Sequence, residues 1–199
     1  MFERSQLPGD AWVDYDATFL NPSEADALLA HLLNNLTWEQ RHIRVFGKEV
    51  MQPRLIGWCG DLPYRYSGQE LEPRTWNPVL QKLNARVSAL LLTPFNHVLL
   101  NRYRDGQDSM GWHADDEKEL GIQPVIAALS LGVPRRFTLH RKRNRKQKRG
   151  YLLEHGSLLV MGGACQHTWR HQVPKMAQVK DERINLTFRW LKGPPGWRE

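Results

Sequence analysis

The sequence predicts a mainly β fold of the α+β class, a sheet sandwich or jelly roll with its helices packed outside. Two observations carry this. Helical periodicity is confined to two stretches before residue 93, and from residue 96 the chain breaks into short strand-like segments separated by Gly, Pro or charged turns. The first helix is expected over residues 22–35, with Ser23 as cap, Asp26 three residues later, and Leu28, Leu29, Leu32 and Leu33 at helical spacing. The second is expected over 78–92, where Asn77 caps, Pro78 suits the first helical position, and Val79, Leu80, Leu83, Val87 and Leu90 form a stripe. Strands are expected at 96–103, 125–131, 136–141, 151–154, 157–161 and 183–191. Gly156-Ser157 and Gly162-Gly163 mark tight connections between them.

At 199 residues the chain suits one domain with ample core, and 41% hydrophobic with 25% charged residues is ordinary for a soluble globular protein. No apolar run approaches the roughly 20 residues that span a bilayer, so no membrane partner is expected. The start, Met1-Phe2-Glu3-Arg4-Ser5, lacks the apolar core of a signal peptide. Two cysteines, Cys59 and Cys165, make no disulfide framework and suit a reducing compartment, either cytoplasmic, nucleoid-associated or nuclear. A monomer is expected.

The net charge of +7 is local. Arg141, Lys142, Arg143, Arg145, Lys146, Lys148 and Arg149 crowd one segment without an acid; removing those seven from the 28 basic residues leaves a number equal to the 21 acids. Such a run neutralises phosphates and releases counterions, which points to a nucleic-acid backbone. The plainer alternative is a solvated loop between two strands.

Two further segments carry chemistry. In an extended segment residues i and i+2 point the same way, so His113 and Asp115 can meet one cation while small Ala114 points away. Two imidazoles and one carboxylate form the facial set of non-haem Fe(II), which leaves positions open for reactants. The third ligand is His167 or His171, and parity does not choose between them if 167–171 is extended. His31, His42, His97, His140 and His155 have no ligand company and read as surface or satisfied core residues. Further on, Arg183, Asn185, Thr187 and Arg189 alternate with Ile184, Leu186 and Phe188, which gives one polar and one apolar strand face. A face that buries two arginines needs anionic partners, and guanidinium forks suit a small dicarboxylate such as 2-oxoglutarate. The alternative is an amphipathic strand with its polar face in water.

Together these residues resemble the AlkB family of Fe(II)- and 2-oxoglutarate-dependent nucleic-acid demethylases, from Val45 to Trp190. Asn101-Arg102-Tyr103 is similar to the strand that offers Asn and Tyr to 2-oxoglutarate. His113-Ala114-Asp115 resembles the first two iron ligands, and His171-Gln172-Val173-Pro174 the third with its following proline. Arg183 to Arg189 resembles the family's Arg-x-Asn-Leu-Thr-Phe-Arg signature. The resemblance implies a double-stranded β-helix with the N-terminal helices outside. It implies one dioxygenase domain over 1–199, with a recognition part at 1–95 and a jelly-roll core at 96–192. Iron would sit on His113, Asp115 and His171, leaving His167 to packing. Asn101, Tyr103, Arg183, Asn185, Thr187 and Arg189 would surround 2-oxoglutarate, with Arg183 on its far carboxylate and Arg189 near the chelating end, orienting Asp115. Dioxygen is the third reactant.

The activity so implied is oxidative demethylation of bases such as N1-methyladenine and N3-methylcytosine in DNA. Formaldehyde, succinate and carbon dioxide are released, and alkylation damage is directly reversed. The alternatives are the same chemistry on RNA or another substrate, or a nucleic-acid-binding module without turnover. The last would need an incomplete ligand set, and here every position is filled. Val45-Phe46-Gly47-Lys48 is similar to the hairpin of a family member that acts on duplexes. Gln52-Pro53-Arg54-Leu55, Leu62-Pro63-Tyr64-Arg65-Tyr66-Ser67 and Trp112-His113-Ala114-Asp115-Asp116-Glu117 are similar to one that favours single strands. An enzyme acting on a base must extract it from a duplex or meet it unpaired, and an apolar wedge such as Phe46, between Val45 and Gly47 and followed by Lys48, can fill the gap. Tyr64 and Tyr66 are expected to stack on the base, and Asp116 with Glu117 to lie beside it, where carboxylates favour a cationic methylated ring.

Overall fold

The computed structural model describes residues 2–45, 48–66 and 68–193, and only the backbone of Arg44, Val45 and Tyr66. In the first half, β1 (Glu3–Leu7) and β2 (Ala11–Asp16) form a hairpin and α1 spans Pro22–Asn35. Next, β3 (His42–Val45) pairs with β4 (Lys48–Met51), β5 spans Leu55–Gly60, β6 (Tyr64–Tyr66) pairs with β7 (Gln69–Leu71), and α2 spans Pro78–Leu91. The second half runs β8 (His97–Tyr103), β9 (Met110–His113), β10 (Ile126–Gly132), β11 (Arg135–Arg141), β12 (Asn144–Leu153) and β13 (Leu158–Gly163). A one-turn helix α3 (Cys165–Thr168), β14 (Trp169–Val173) and β15 (Arg183–Arg189) follow.

Seven strands make a major sheet in the order β1-β2-β13-β10-β15-β8-β5, and four make a minor sheet in the order β12-β11-β14-β9. Two apolar clusters place the layers. One joins Ile56, Leu99 and Leu159 of the major sheet to Phe137, Leu139 and Trp169 of the minor sheet, and so fills the space between them. The other joins Leu28 and Leu32 of α1 and Leu80, Leu83 and Val87 of α2 to Val98, Leu129, Ile184 and Leu186, so the helices cover the outer face of the major sheet. Each fully buried leucine there stabilises by roughly 1.5–3 kcal/mol before chain entropy is counted. The architecture is a mainly β jelly roll with helices outside, as the sequence predicts. No helix among the described residues is long and apolar enough to cross a membrane.

Several boundaries differ from expectation for identifiable reasons. The cap of α1 is Asn21, not Ser23: its side chain accepts from Glu24 N at 2.9 Å while Glu24 Oε2 accepts from Asn21 N at 3.1 Å. Pro22 then takes the first helical position, where a missing N–H costs nothing. Asn77 caps α2 as expected, but Leu90 faces solvent. β1, β2 and β5 go unseen in the sequence although they complete the major sheet. Four of the five residues of β1 are not buried, so its side chains carry little apolar signal, and backbone pairing to β2 defines it. The run at 141–149 is not a loop: it ends β11, turns, and enters the ten-residue β12. β12 is an edge strand, where charge protects against pairing with another chain.

Gly162-Gly163 is less a turn than a seat for β2. Gly162 pairs with Trp12, and a Cβ there would collide with the indole ring. Gly163 has φ +58°, and a Cβ on it would strike the Asp10 carbonyl. Gly162→Ala is therefore expected to push Trp12 aside and lower stability by about 1–3 kcal/mol, the range for overpacking. Denaturant melts of the two proteins measure this, and an unchanged midpoint would mean the indole moves freely.

Candidate active site

The site forms where the inner faces of the two sheets meet. In the major sheet β8 and β15 run antiparallel, with Arg183 opposite Tyr103 and Asn185 opposite Asn101. Strand alternation sends Ile184, Leu186 and Phe188 to the helix side and Arg183, Asn185, Thr187 and Arg189 to the inner side. On β10, Ala128 lies opposite Thr187 and Ser130 opposite Asn185, so small residues leave room beside the polar set. In the minor sheet His171 of β14 pairs with His113 of β9, and their rings meet edge to face at 4.1 Å between centroids.

One ligand atom each from His113, Asp115 and His171 lies within 4.8 Å of the others. His113 Nδ1–H donates to the Gly111 carbonyl at 2.9 Å, which leaves Nε2 available as a ligand. The Asp115 backbone N–H donates to Gln166 Oε1 at 3.0 Å, and Arg189 Nη2 donates to Asp115 Oδ1 at 2.8 Å. Burial pushes the His171 imidazole down to about 3, reinforced by the neighbouring His113, and burial lowers His113 as well. Burial opposes ionisation of Asp115 too, but Arg189 and the two imidazoles outweigh it and hold the carboxyl at about 2. The cluster thus presents two neutral imidazoles and one carboxylate. This is the donor set a divalent iron ion takes, with no proton to expel.

Asn101, Tyr103, Arg183, Asn185, Thr187 and Arg189 line the same cavity as the three ligands. Arg183 is 1% exposed; its Nη2 donates to Ser130 Oγ at 2.9 Å, while Nε and Nη1 find no hydrogen-bond acceptor among the described residues. Burial, with Arg135 nearby, lowers its guanidinium to about 10 although the Tyr103 hydroxyl favours the cation. Arg189 Nε and Nη1 likewise find no acceptor among the described residues. Buried N–H donors without acceptors are costly, and an anion of two carboxylates supplies the missing acceptors. The residues therefore fit 2-oxoglutarate as well as iron. Met110, Phe137, Leu159 and Met161 supply the apolar wall.

His167 does not join the cluster. The 165–168 segment is helical, not extended, and His167 is exposed, with Nε2 accepting from Gln123 N at 3.3 Å. The substrate-side expectations fare unevenly. Tyr64, expected to offer a face to a base, is fully buried, packed against His97 at 4.9 Å and beneath the Arg189 guanidinium. It supports the site from behind. Asp116 is exposed and pairs with Lys142 Nζ at 2.9 Å. Glu117 is half-buried, and burial together with Asp115 raises its carboxyl to about 7. Lys48 is exposed on β4. Phe46, Gly47 and the Tyr66 side chain lie outside the described residues.

Of the basic run, Arg141 is half-buried and donates to Gln147 Oε1, and Lys142 is held by Asp116 and the Gln166 carbonyl. Arg143, Arg145, Lys146, Lys148 and Arg149 are exposed. Sequence reasoning missed three supports. Arg54 Nε donates to Asn101 Oδ1 at 2.8 Å, Gln166 fixes the Asp115 backbone, and fully buried Arg135 ties the carbonyls of Asp105, Asp108 and Pro174 together. Each joins residues 27 or more apart in the chain, and no local spacing announces such a pair.

A jelly roll with a buried His-Asp-His set and two buried arginines in one cavity between its sheets has the arrangement of the mononuclear non-haem iron class. Known proteins agree. The family model of the 2OG-Fe(II) oxygenase superfamily matches residues 14–189. The alpha-ketoglutarate-dependent dioxygenase alkB homolog 3 of Rattus norvegicus is 41% identical over 191 residues, covering 89% of this chain and 65% of the relative. The DNA oxidative demethylase ALKBH2 of Mus musculus is 37% identical over 188 residues, covering 88% and 78%. The solved structure of OsALKBH1 superposes with a TM-score of 0.66 at 15% identity, covering 94% of this chain and 99% of that one, and shares the fold. The chain belongs to the 2OG-Fe(II) oxygenase superfamily and, within it, to the AlkB family. It spans 65% of the length of the alkB homolog 3 relatives.

Proposed function

We propose that the protein oxidatively demethylates N-alkylated bases of the N1-methyladenine and N3-methylcytosine type in DNA. The observation that carries this is the shared cavity, in which the buried His113–Asp115–His171 set faces the unpartnered donors of Arg183 and Arg189. When bound, Fe(II) and 2-oxoglutarate supply activated dioxygen, which oxidises the methyl carbon to formaldehyde while 2-oxoglutarate becomes succinate and carbon dioxide. The protein's residues position and protect. His113, Asp115 and His171 hold the metal on one side. Arg183 binds the far carboxylate, and Asn101, Tyr103, Asn185 and Thr187 shape the rest of that pocket. Arg189 holds Asp115 in place, and the apolar wall excludes water. Asp116 and Glu117 follow the ligand Asp115 in sequence; the Asp116 carboxylate, joined by Glu117 when that group is ionised, favours a cationic methylated ring over a neutral base. For Asp116 to meet a base it must exchange Lys142 for the substrate. Phe46, with Gly47 and Lys48, is our candidate wedge, and Tyr66 our candidate stacking ring.

We further take the chain as one dioxygenase domain, with a recognition part at 1–95 that lends β1, β2 and β5 to the major sheet, and a core at 96–192. We place it as a monomer in the cytoplasm or nucleus, where its substrate lies. The test is mass spectrometry of single- and double-stranded DNA and RNA oligonucleotides carrying either lesion, incubated with Fe(II) and 2-oxoglutarate. Loss of one methyl group is expected from DNA. An intact lesion on DNA would overturn the reading, and loss from RNA alone would move the substrate.

The exposed cations at 143–149 are expected to hold phosphates. Replacing Arg143, Arg145, Lys146, Lys148 and Arg149 by Gln should weaken binding of all sequences alike. The slope of log affinity against log salt should fall by roughly 0.9 for each duplex phosphate that is no longer neutralised. An unchanged slope would show that β12 is only a charged edge.

A further inference from the structure

We infer that the outer face of the minor sheet carries a second nucleotide subsite, in which Trp112 stacks on a base flanking the reactive one while Arg145, Lys148 and Arg170 hold the adjoining phosphates. This rests on the nucleic-acid reading above.

Trp112 precedes the ligand His113 on β9, so strand alternation turns its side chain away from the cavity. The indole is 39% exposed. It lies against the buried His140 ring, with centroids 4.2 Å apart and planes at 59°. His140 is anchored in turn, its Nδ1–H donating to the Arg141 carbonyl at 3.1 Å. Sheet register sets cations around this pair: His140 lies opposite Lys148 on β12 and opposite Arg170 on β14, on the same face. Arg145 completes the cleft, and no carboxylate lines it among the described residues. Arg170 stands outside the basic run. Its cation reaches the cleft because its neighbour His171 points inward as a ligand.

The chemistry selects the occupant. Three cations call for phosphates, and an exposed indole held from below by a ring calls for a flat π face. An acidic peptide would satisfy the cations and leave the indole bare, whereas a nucleotide uses both. β9 is the edge strand of its sheet, so a nucleic-acid strand leaving the cavity can pass round it without breaking any pairing. The reactive base and its neighbour would then lie on opposite sides of β9, with His113 marking one and Trp112 the other.

The test is fluorescence anisotropy of labelled single-stranded oligonucleotides bearing a central N3-methylcytosine, with either normal or abasic flanking positions. Wild-type protein should bind the abasic-flanked strand on the order of tenfold more weakly, the size of one missing stack. Trp112→Ala should weaken binding of the normal strand by a similar factor and leave binding of the abasic-flanked strand unchanged. Trp112→Phe should restore most of the loss. Arg170→Gln, far milder for folding, should lower the salt slope by roughly 0.7 on a single strand. The subsite is overturned if Trp112→Ala binds both strands like wild type, or loses equally on both, or if wild-type protein does not distinguish the strands. It is also overturned if Arg170→Gln leaves the slope unchanged. If wild-type protein neither binds nor demethylates any oligonucleotide, the parent reading falls with it. If it demethylates normally while these comparisons fail, only the subsite falls.

Discussion

His113→Ala, Asp115→Ala and His171→Ala are each expected to abolish turnover, while His167→Ala leaves it largely intact. The three ligand atoms are within 4.8 Å of one another, and two remaining protein ligands hold Fe(II) poorly. The three variants should differ in stability. Removing Asp115 strands the Arg189 cation in the core, and breaking a buried pair costs about 3–5 kcal/mol. Neither imidazole carries charge, so their removal leaves no such orphan. Formaldehyde release and thermal melting, measured side by side, check both parts. A dead His167→Ala beside an active His171→Ala would reverse the ligand assignment.

Arg183→Ala is expected to raise the KM for 2-oxoglutarate sharply while nucleic-acid affinity stays constant. A hydrogen bond to a charged group contributes about 1.5–3 kcal/mol, or roughly 10- to 150-fold in binding. Arg183→Lys should recover part of this, since it restores the charge but not the two-pronged geometry. The ligand-free protein offers a discriminating measurement. Arg183 is buried with two N–H groups unpartnered, so its removal should not lower the melting temperature of protein stripped of 2-oxoglutarate. An unchanged KM, or a large loss of unliganded stability, would make Arg183 a structural residue and leave the cosubstrate pocket unassigned.

The parts of this molecule legible in its sequence are those with a local period. Alternation over 183–189 separates the pocket face from the core face, and both faces are where the pattern places them. The same period unites His113 and Asp115 and, once β14 is known to begin at Trp169, turns His171 inward. What stayed hidden was non-local or aperiodic. The one-turn helix at Cys165–Thr168 breaks the extended run that made His167 and His171 equivalent. The first six residues of β12 carry four cations and no apolar side chain, so they show no apolar beat, and only its end at 151–153 reads as strand. Tyr64 sits on a three-residue strand, too short to reveal which face is buried. Trp112 and Arg170 could have been found, since each adjoins an inward-facing ligand and must point outward.

The strand that carries the Arg183–Arg189 face is the last described strand in the chain, yet it is interior to the major sheet, paired to β10 on one side and β8 on the other. During synthesis β10 and β8 therefore emerge with a vacant slot between them, and α1 and α2 have no finished surface to cover. Pairings closed so late and over such sequence separations make for slow folding and a prolonged exposure of unpaired strand edges. A chain interrupted before residue 183 would lose the centre of the major sheet and the Arg183–Arg189 wall of the cavity in one stroke.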